Sequence, residues 1–443
     1  MSLFQKISDK TAKICVMGLG QVGLPVALSF CKAGFFVSGY DINENHINLL
    51  KNQQSPFKEY ELQELLKKFI NENKFLPTSE SSIISESDII IVCVPTPISD
   101  EIKPDLSLLK EACKTISKFK LNDKLIVIES SIPPKTFEVF ILPIISENKR
   151  NNFFASYVPE RLSPGQAFEE IHTTSRVIGA FDEESRNITK TLYKNIIKAE
   201  IFLTNPILAE TCKLVENTYR DVNVAFANEI AMICERYNID VLELRNICNS
   251  HPRVNLLLPG PGVGGPCLPK DPYLLLNPYG AEQIKSDFIV NARKINDSMP
   301  NHVFDLIKNA LKEKCKKMNQ SVIAVLGSAY KSNVSDTRFS PTEKIVNLLL
   351  ESKCIVKIND PHTEINFGGK YFKNIMDAIK SSDLLVILTD HNEYKSLTLD
   401  FIREQMNKDP ILVDTKRIFD GKEAKDKGFV YLSIGCNYGQ QID

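Results

Sequence analysis

The chain has 443 residues and a nearly even charge, 54 basic against 55 acidic side chains, with no long block of one sign. That balance excludes polyanionic nucleic acid and an anionic membrane surface as expected partners, and the length allows roughly three units of about 150 residues each. The opening stretch MSLFQKISDKTAKI lacks the apolar core of a secretory signal, and runs such as IIIVCV are too short to span a bilayer, so a cytoplasmic protein is expected. Eleven scattered cysteines with no C-x-x-C pair, and six widely spaced histidines, predict reduced thiols and neither a disulfide frame nor a metal site.

In chain order, the apolar runs KICVMG, FFVSGYD, SDIIIVCVPTP and KLIVIESSIPP alternate with helical patterns, as buried parallel strands do. Between the first two lies GLGQVG, a G-x-G-x-x-G pattern that is common by chance when it stands alone. Here a strand precedes it, the helix-compatible run LPVALSFCKAG follows, and Asp41 ends the next strand, where an acid can accept hydrogen bonds from a ribose diol. Gly18 permits the tight turn, Gly20 lets backbone approach a pyrophosphate, and Gly23 lets helix and strand pack closely. A merely structural glycine turn is the bland reading, and strand, helix and acid together favour a dinucleotide. Asp41 would repel a 2′-phosphate, so NAD is expected over NADP.

The segment from Pro206 to Tyr237 carries Leu208, Val215, Tyr219, Val222, Ile230 and Ile233 at mostly three- and four-residue steps, which predicts one amphipathic helix. At 1.5 Å per residue it would run about 48 Å, enough to bridge two domains and to pair subunits. Lys213 and Asn217 stand four apart on one of its faces, which spacing alone would assign to solvent. Residues 259–272 read PGPGVGGPCLPKDP and place one thiol, Cys267, in a loop of Gly and Pro. Glycines 260, 262, 264 and 265 would allow close backbone approach to a ligand, prolines 261, 266 and 269 stiffen the loop, and Lys270 would favour the thiolate. A structural cysteine in a turning loop is the alternative.

Near the C-terminus the order returns as SVIAVLG, CIVKINDP, SDLLVILTD and PILVDTK, so that Gly18 pairs with Gly327, Asp41 with Asp360 and Asp88 with Asp383. VLGSAYKS lacks the partner glycines, so no second dinucleotide is expected. Lys331, Arg338, Lys416 and Arg417 instead offer cations at the carboxyl edge of the sheet for an anionic, phosphorylated handle, unless they are ordinary surface charges. The expected fold is α/β, two doubly wound Rossmann-like domains joined by a long central helix. Its divisions are a NAD-binding domain at 1–205, a helical dimerisation region with the cysteine loop at 206–300, and a substrate domain at 301–443.

A dinucleotide and a reactive thiol together point to a four-electron oxidation. Hydride loss from an alcohol gives an aldehyde, the thiolate adds to it, a second hydride loss gives a thioester, and water releases an acid. Lys213 and Asn217 could stabilise the oxyanion, Asp271 or a lysine could handle protons, and Glu160 could orient the water.

These residues resemble the nucleotide-sugar 6-dehydrogenases, the UDP-glucose/GDP-mannose dehydrogenase family. The resemblance rests on GLGQVG, VPTP, SSIPPKT, VPERLSPG, AETCKLVENTYRDVNVAFANE, GVGGPCLPKD and LGSAYKSNVSDTRFSP in the family's order. It implies NAD contacts from Gly18, Gly20, Gln21, Val22, Gly23, Asp41, Val94, Thr96, Ser131 and Arg338. It also implies Cys267 as nucleophile with Lys213, Asn217 and Asp271 assisting, and Glu160 with Ser131 placing water. Substrate contacts would come from Glu160, Arg161, Leu162, Lys213, Asn217, Arg253, Gly264, Lys331 and Arg417, with Arg253 reaching the substrate of a partner subunit. A homodimer, a UDP-sugar substrate and a product used in polysaccharide biosynthesis are further implications.

Within the family, PER (Pro159–Arg161), HPRVN and PGPGVGG are similar to the UDP-N-acetylhexosamine branch, above all to enzymes of UDP-N-acetylmannosamine. Pro266 where that branch has His, the glucose-like LPKD, and Ser131 in place of Thr depart from it. UDP-N-acetylglucosamine and UDP-glucose are therefore the alternative sugars. More distant alternatives are a two-electron β-hydroxyacid dehydrogenase and a nucleotide-binding protein without catalysis.

Overall fold

The computed structural model describes residues 1–57, 61–99, 101–147, 152–162 and 165–436, with no side chain for residue 167, so Ser163 and Pro164 of the VPERLSPG motif lie outside it. Its contacts divide the chain into two units, Met1–Asn217 with Lys270–Lys285, and Thr218–Pro269 with Ser286–Asp443. The division falls inside one helix, Pro206–Tyr237, whose bounds match the predicted ones.

In the first unit the strands are β1 (Lys13–Met17), β2 (Phe36–Tyr40), β3 (Phe75–Thr78), β4 (Ile89–Val92), β5 (Leu125–Ile128), β6 (Phe154–Tyr157), β7 (Arg176–Gly179) and β8 (Ile201–Thr204). They form one sheet in the order β3-β2-β1-β4-β5-β6-β7-β8, parallel throughout except for β6 against β7. Side chains alternate across a pleated strand. Ile14, Val16, Ile89, Ile91, Leu125 and Val127 accordingly fill a core on one face, and Cys15, Met17, Ile90, Val92, Ile126 and Ile128 fill another on the opposite face. Burial of both faces is why these strands read as unbroken apolar runs. Strands β3, β6 and β8 carry a proline, small polar residues or half-exposed positions and give no such run.

The second unit holds β9 (Val322–Leu326), β10 (Ile355–Asn359), β11 (Lys370–Tyr371), β12 (Leu384–Ile387), β13 (Ile411–Asp414) and β14 (Val430–Leu432), all parallel, in the order β11-β10-β9-β12-β13-β14. Both sheets therefore contain the doubly wound 3-2-1-4-5-6 order. The likeness extends to single hydrogen bonds. Asp88, ahead of β4, accepts the N–H of Lys13 at 2.9 Å and the Lys6 ammonium at 2.6 Å; Asp383, ahead of β12, accepts the N–H of Val322 at 2.9 Å and the Lys316 ammonium at 3.0 Å. Each carboxylate ties off the free N–H that opens its first strand.

All eleven cysteines are free thiols. Cys15 and Cys31 are buried, and burial pushes both thiols upward, Cys15 to about 12, so they act as small apolar side chains. No helix among the described residues is long and apolar enough to cross a membrane.

Candidate active site

The turn after β1 faces the carboxyl ends of β1 and β4, where strand order reverses. Gly18 has φ +87°, and a Cβ there would lie 2.9 Å from the carbonyl oxygen of Cys93. A Cβ on Gly23 would lie 1.9 Å from the carbonyl oxygen of Gly18, so helix Gly23–Lys32 can sit this close only without one. Gly20 differs, because its Cβ would meet nothing within 4 Å. Its missing side chain leaves room that the protein itself does not use, as a pyrophosphate requires. Asp41 is half-buried and fixed by the N–H groups of Leu19 at 2.8 Å and Asn43 at 2.9 Å, one on each oxygen. Each oxygen keeps acceptor capacity for a diol. The residues present therefore fit a dinucleotide.

Deeper in the first unit, several predicted residues are joined by bonds. Asn217 donates to Asp271 Oδ2 at 2.6 Å; the Lys270 ammonium lies 3.6 Å from Asp271 Oδ1 and donates to the Thr96 carbonyl at 2.8 Å; the Thr96 hydroxyl donates to the Ser131 carbonyl at 2.5 Å. Asp271 is fully buried. Glu160 and Lys213 are buried too; burial pushes the Glu160 carboxyl up, while the charges of Lys213 and Arg176 pull it down and those of Asp271 and Glu170 raise it. Glu160 also accepts the N–H of Leu162. Arg161 is committed elsewhere in this unit, to Glu216 on the long helix and to the Ser175 carbonyl and hydroxyl at 3.0 Å each.

Sequence reasoning passed over Glu210, Arg176 and Glu129. Glu210, buried on the long helix, accepts the N–H groups of Lys135 at 2.8 Å and Phe137 at 2.7 Å, and so pins the segment that carries Ser131; burial raises its carboxyl to about 7. Glu210 stands three and seven residues before Lys213 and Asn217, on the same helix face, and that spacing was the available signal. Arg176 opens the run RVIG and Glu129 follows LIVI, apolar strand sequences that hid them.

In the second unit, the loop bearing Cys267 is held by a buried polar chain. Arg293 donates to Asp221 at 2.6 Å, Asn296 to Asp221 at 2.9 Å, Asn228 to Asn296 at 3.0 Å, and the Gly260 N–H to Asn228 at 2.9 Å. Further on, the Gly265 N–H donates to the Arg338 carbonyl at 2.9 Å. A Cβ on Gly264 would lie 2.6 Å from Tyr330 Cβ, and one on Gly265 would lie 2.8 Å from the Tyr330 ring. These two glycines let Tyr330 approach the loop closely. Tyr330 is pushed upward by burial and by the charges of Asp336 and Cys267, with Arg338 and Arg220 opposing, and the half-buried Cys267 also lies within electrostatic reach of Arg338.

The other cations divide. Arg338 forks onto Asp336, with bonds of 2.9 and 2.7 Å, and Arg417 pairs with Asp240 at 2.5 Å, so both arginines already hold a carboxylate. Lys331 and Lys416 are half-buried near the first turn and after β13, and Arg253 is exposed.

A glycine turn open to a pyrophosphate, an acid at the ribose position and a second unit of the same topology define a dinucleotide-dependent oxidoreductase. The chain belongs to the UDP-glucose/GDP-mannose dehydrogenase family, matching its NAD binding domain at residues 12–197, its central domain at 208–298 and its UDP binding domain at 324–421. It is a nucleotide-sugar dehydrogenase that uses NAD. It is 38% identical over 96% of its length, and 99% of the relative, to a UDP-N-acetyl-D-mannosamine dehydrogenase of Pyrococcus horikoshii. A solved UDP-D-ManNAc dehydrogenase structure from that organism superposes with a TM-score of 0.88 at 37% identity, covering 96% of this chain and 99% of the other. An NDP-N-acetyl-D-galactosaminuronic acid dehydrogenase of Ralstonia nicotianae is 31% identical over 92% of this chain and 96% of its own.

Gly20 and Gly23 should separate by experiment. Gly20→Ala is expected to leave the unfolding temperature of the free protein unchanged and to weaken NAD binding at least about tenfold, whereas Gly23→Ala should lower both. Thermal unfolding with and without NAD distinguishes them; a Gly20→Ala protein with native NAD affinity would refute the assignment.

Proposed function

We propose that the chain oxidises the C6 hydroxyl of a UDP-N-acetylhexosamine, with UDP-N-acetylmannosamine the first choice, to the uronic acid through a thiohemiacetal and thioester on Cys267. The observation that carries this reading is the bonded series Asn217, Asp271, Lys270, Thr96 and Ser131, whose Lys270 and Asp271 follow Cys267 by three and four residues in the chain. Bound NAD, held by the Gly18–Gly23 turn and Asp41, would accept one hydride in each of the two oxidations. The Cys267 sulfur adds to the aldehyde carbon as thiolate, and the Lys213 ammonium with the Asn217 amide stabilises the oxygen that gains charge. Asn217 keeps Asp271 oriented to take or return a proton. Glu160, beside the Ser131 segment, draws a proton from the water that cleaves the thioester.

The sugar is read from PER, HPRVN and PGPGVGG and from the names of the relatives. Pro266 and LPKD keep UDP-N-acetylglucosamine and UDP-glucose as alternatives. Lys331, Arg253, Gly264, Arg161, Leu162 and Arg417 are proposed substrate contacts, the last two arginines through a rearrangement or through their main chains, since their side chains hold acids. Arg338 is proposed to contribute to cofactor binding. The three-part division at 205 and 300, and a cytoplasmic location, belong to the same proposal.

A homodimer through the long helix is also proposed. Leu208, Val215, Tyr219, Phe226, Ile233 and Tyr237 recur at steps of seven and four and are each 42% to 72% exposed, an apolar stripe suited to a second copy. Sedimentation should give a dimer for the native chain and a monomer for Tyr219→Glu with Phe226→Glu; a native monomer would remove this element.

Reaction stoichiometry tests the chemistry. With a panel of the three UDP-sugars, about two NADH per sugar are expected from the preferred one, and Cys267→Ser should lower acid formation at least about a hundredfold. One NADH per sugar would favour the two-electron alternative, and NAD binding without turnover the non-catalytic one. Because burial raises the Glu160 carboxyl, it stays protonated above the ordinary carboxylate range, so the hydrolytic step should accelerate as pH rises through that raised value and then level off. Glu160→Gln should abolish this rising limb in single-turnover measurements; an unchanged limb would assign the titration to another group.

A further inference from the structure

Resting on the proposed UDP-sugar substrate, we propose that His391 is a positioning residue that, with Asp360, shapes the phosphate-facing turn of the second unit and so sets where Lys331 stands. His391 lies after β12 and is fully buried. Its Nδ1 accepts the N–H of Asn333 at 2.9 Å, which places its proton on Nε2, 3.1 Å from Asp360 Oδ2. The same Asp360 oxygen accepts the N–H groups of Ser328 at 2.8 Å and Ala329 at 3.0 Å, and Oδ1 accepts that of His362 at 2.8 Å. Lys331 is thus bracketed, two residues after Ala329 and two before Asn333, by backbone groups that one His–Asp pair holds.

The comparison with the first unit gives this clamp its meaning. Asp41 and Asp360 end equivalent strands, and each accepts the N–H of the residue after the turn glycine, Leu19 and Ser328. Asp41 takes only one further N–H, that of Asn43 at 2.9 Å, and stays half-buried. Asp360 is fully buried and engages a second turn amide and an imidazole. With two successive amides spent on Asp360, and no glycines at 329 or 332, the turn of the second unit offers less backbone to phosphate than the dinucleotide turn does. Recognition of a diphosphate there passes to a side chain, and a flexible lysine needs a fixed root to reach its target. His391 supplies that root.

A metal does not account for the cluster. His362, His391 and Glu393 have ligand atoms within 4.8 Å of one another, but both nitrogens of His391 are already engaged, which leaves two side chains where a closed site needs four.

Isothermal calorimetry with UDP on the full-length protein, paired with steady-state kinetics, tests the role. His391→Leu removes both bonds and is expected to raise the UDP Kd and the KM for the UDP-sugar about tenfold, with kcat and NAD affinity changed by no more than about twofold. His391→Gln, whose amide can accept from Asn333 and donate to Asp360, should stay within about threefold of native in both. Should the leucine variant not fold, His391→Asn, with a shorter amide that reaches one partner, is expected to raise the UDP Kd about threefold. A folded leucine or asparagine variant with native UDP affinity, or a glutamine variant as weak as leucine, would overturn the positioning role. A native chain that does not bind UDP would overturn the underlying substrate reading instead.

Discussion

Both units are organised around one steric constraint: the turn that leaves the first strand must pass closer to the chain leaving the fourth than any side chain permits. A Cβ on Gly18 would stand 2.9 Å from Cys93 O, and one on Gly327 would stand 2.5 Å from Thr389 Cβ. Glycine at these two points lets β1 and β4, and β9 and β12, run side by side while their connections depart in opposite directions. The crevice this opens at the carboxyl ends of the strands is where doubly wound sheets bind ligands. Gly20, Asp41, Thr96, Lys331 and His391 all owe their places to it.

Within that common frame the two units differ by small polar changes. In the first, the glycine turn leaves empty space and an acid that keeps acceptor capacity. In the second, the corresponding acid is buried with an imidazole, and the turn carries a lysine. Neither change alters strand order or core, because Asp88 with Lys6 and Asp383 with Lys316 do the same work at the opposite end of each sheet. Function has been varied at one edge while stability is kept at the other.

The loop of Cys267 obeys a different economy. Glycine and proline limit its conformations, but its place depends on buried polar groups, the chain from Arg293 through Asp221, Asn296 and Asn228 to Gly260. Such networks contribute less to stability than to uniqueness of geometry, since every member must be satisfied at once. The proposed nucleophile, Cys267, would need that uniqueness.

What the sequence by itself determined was whatever depends on short-range rules. Continuous apolar runs disclosed β1, β2, β4, β5, β9, β10, β12 and β13, three- and four-residue periodicity disclosed the long helix, and the spacing from Gly18 to Asp41 disclosed a dinucleotide turn. Only tertiary structure decided what depends on contacts between distant segments. Edge and short strands such as β3, β8 and β11 owe their existence to neighbours, so their own residues say little. Glycines 264 and 265 answer to Tyr330, more than sixty residues away, and nothing local separates that from room for a ligand. Asp41 and Asp360 look alike in sequence, and burial beside His391 is what sets them apart. Charge and burial are properties of surroundings, and the surroundings of a side chain are assembled only when the chain folds.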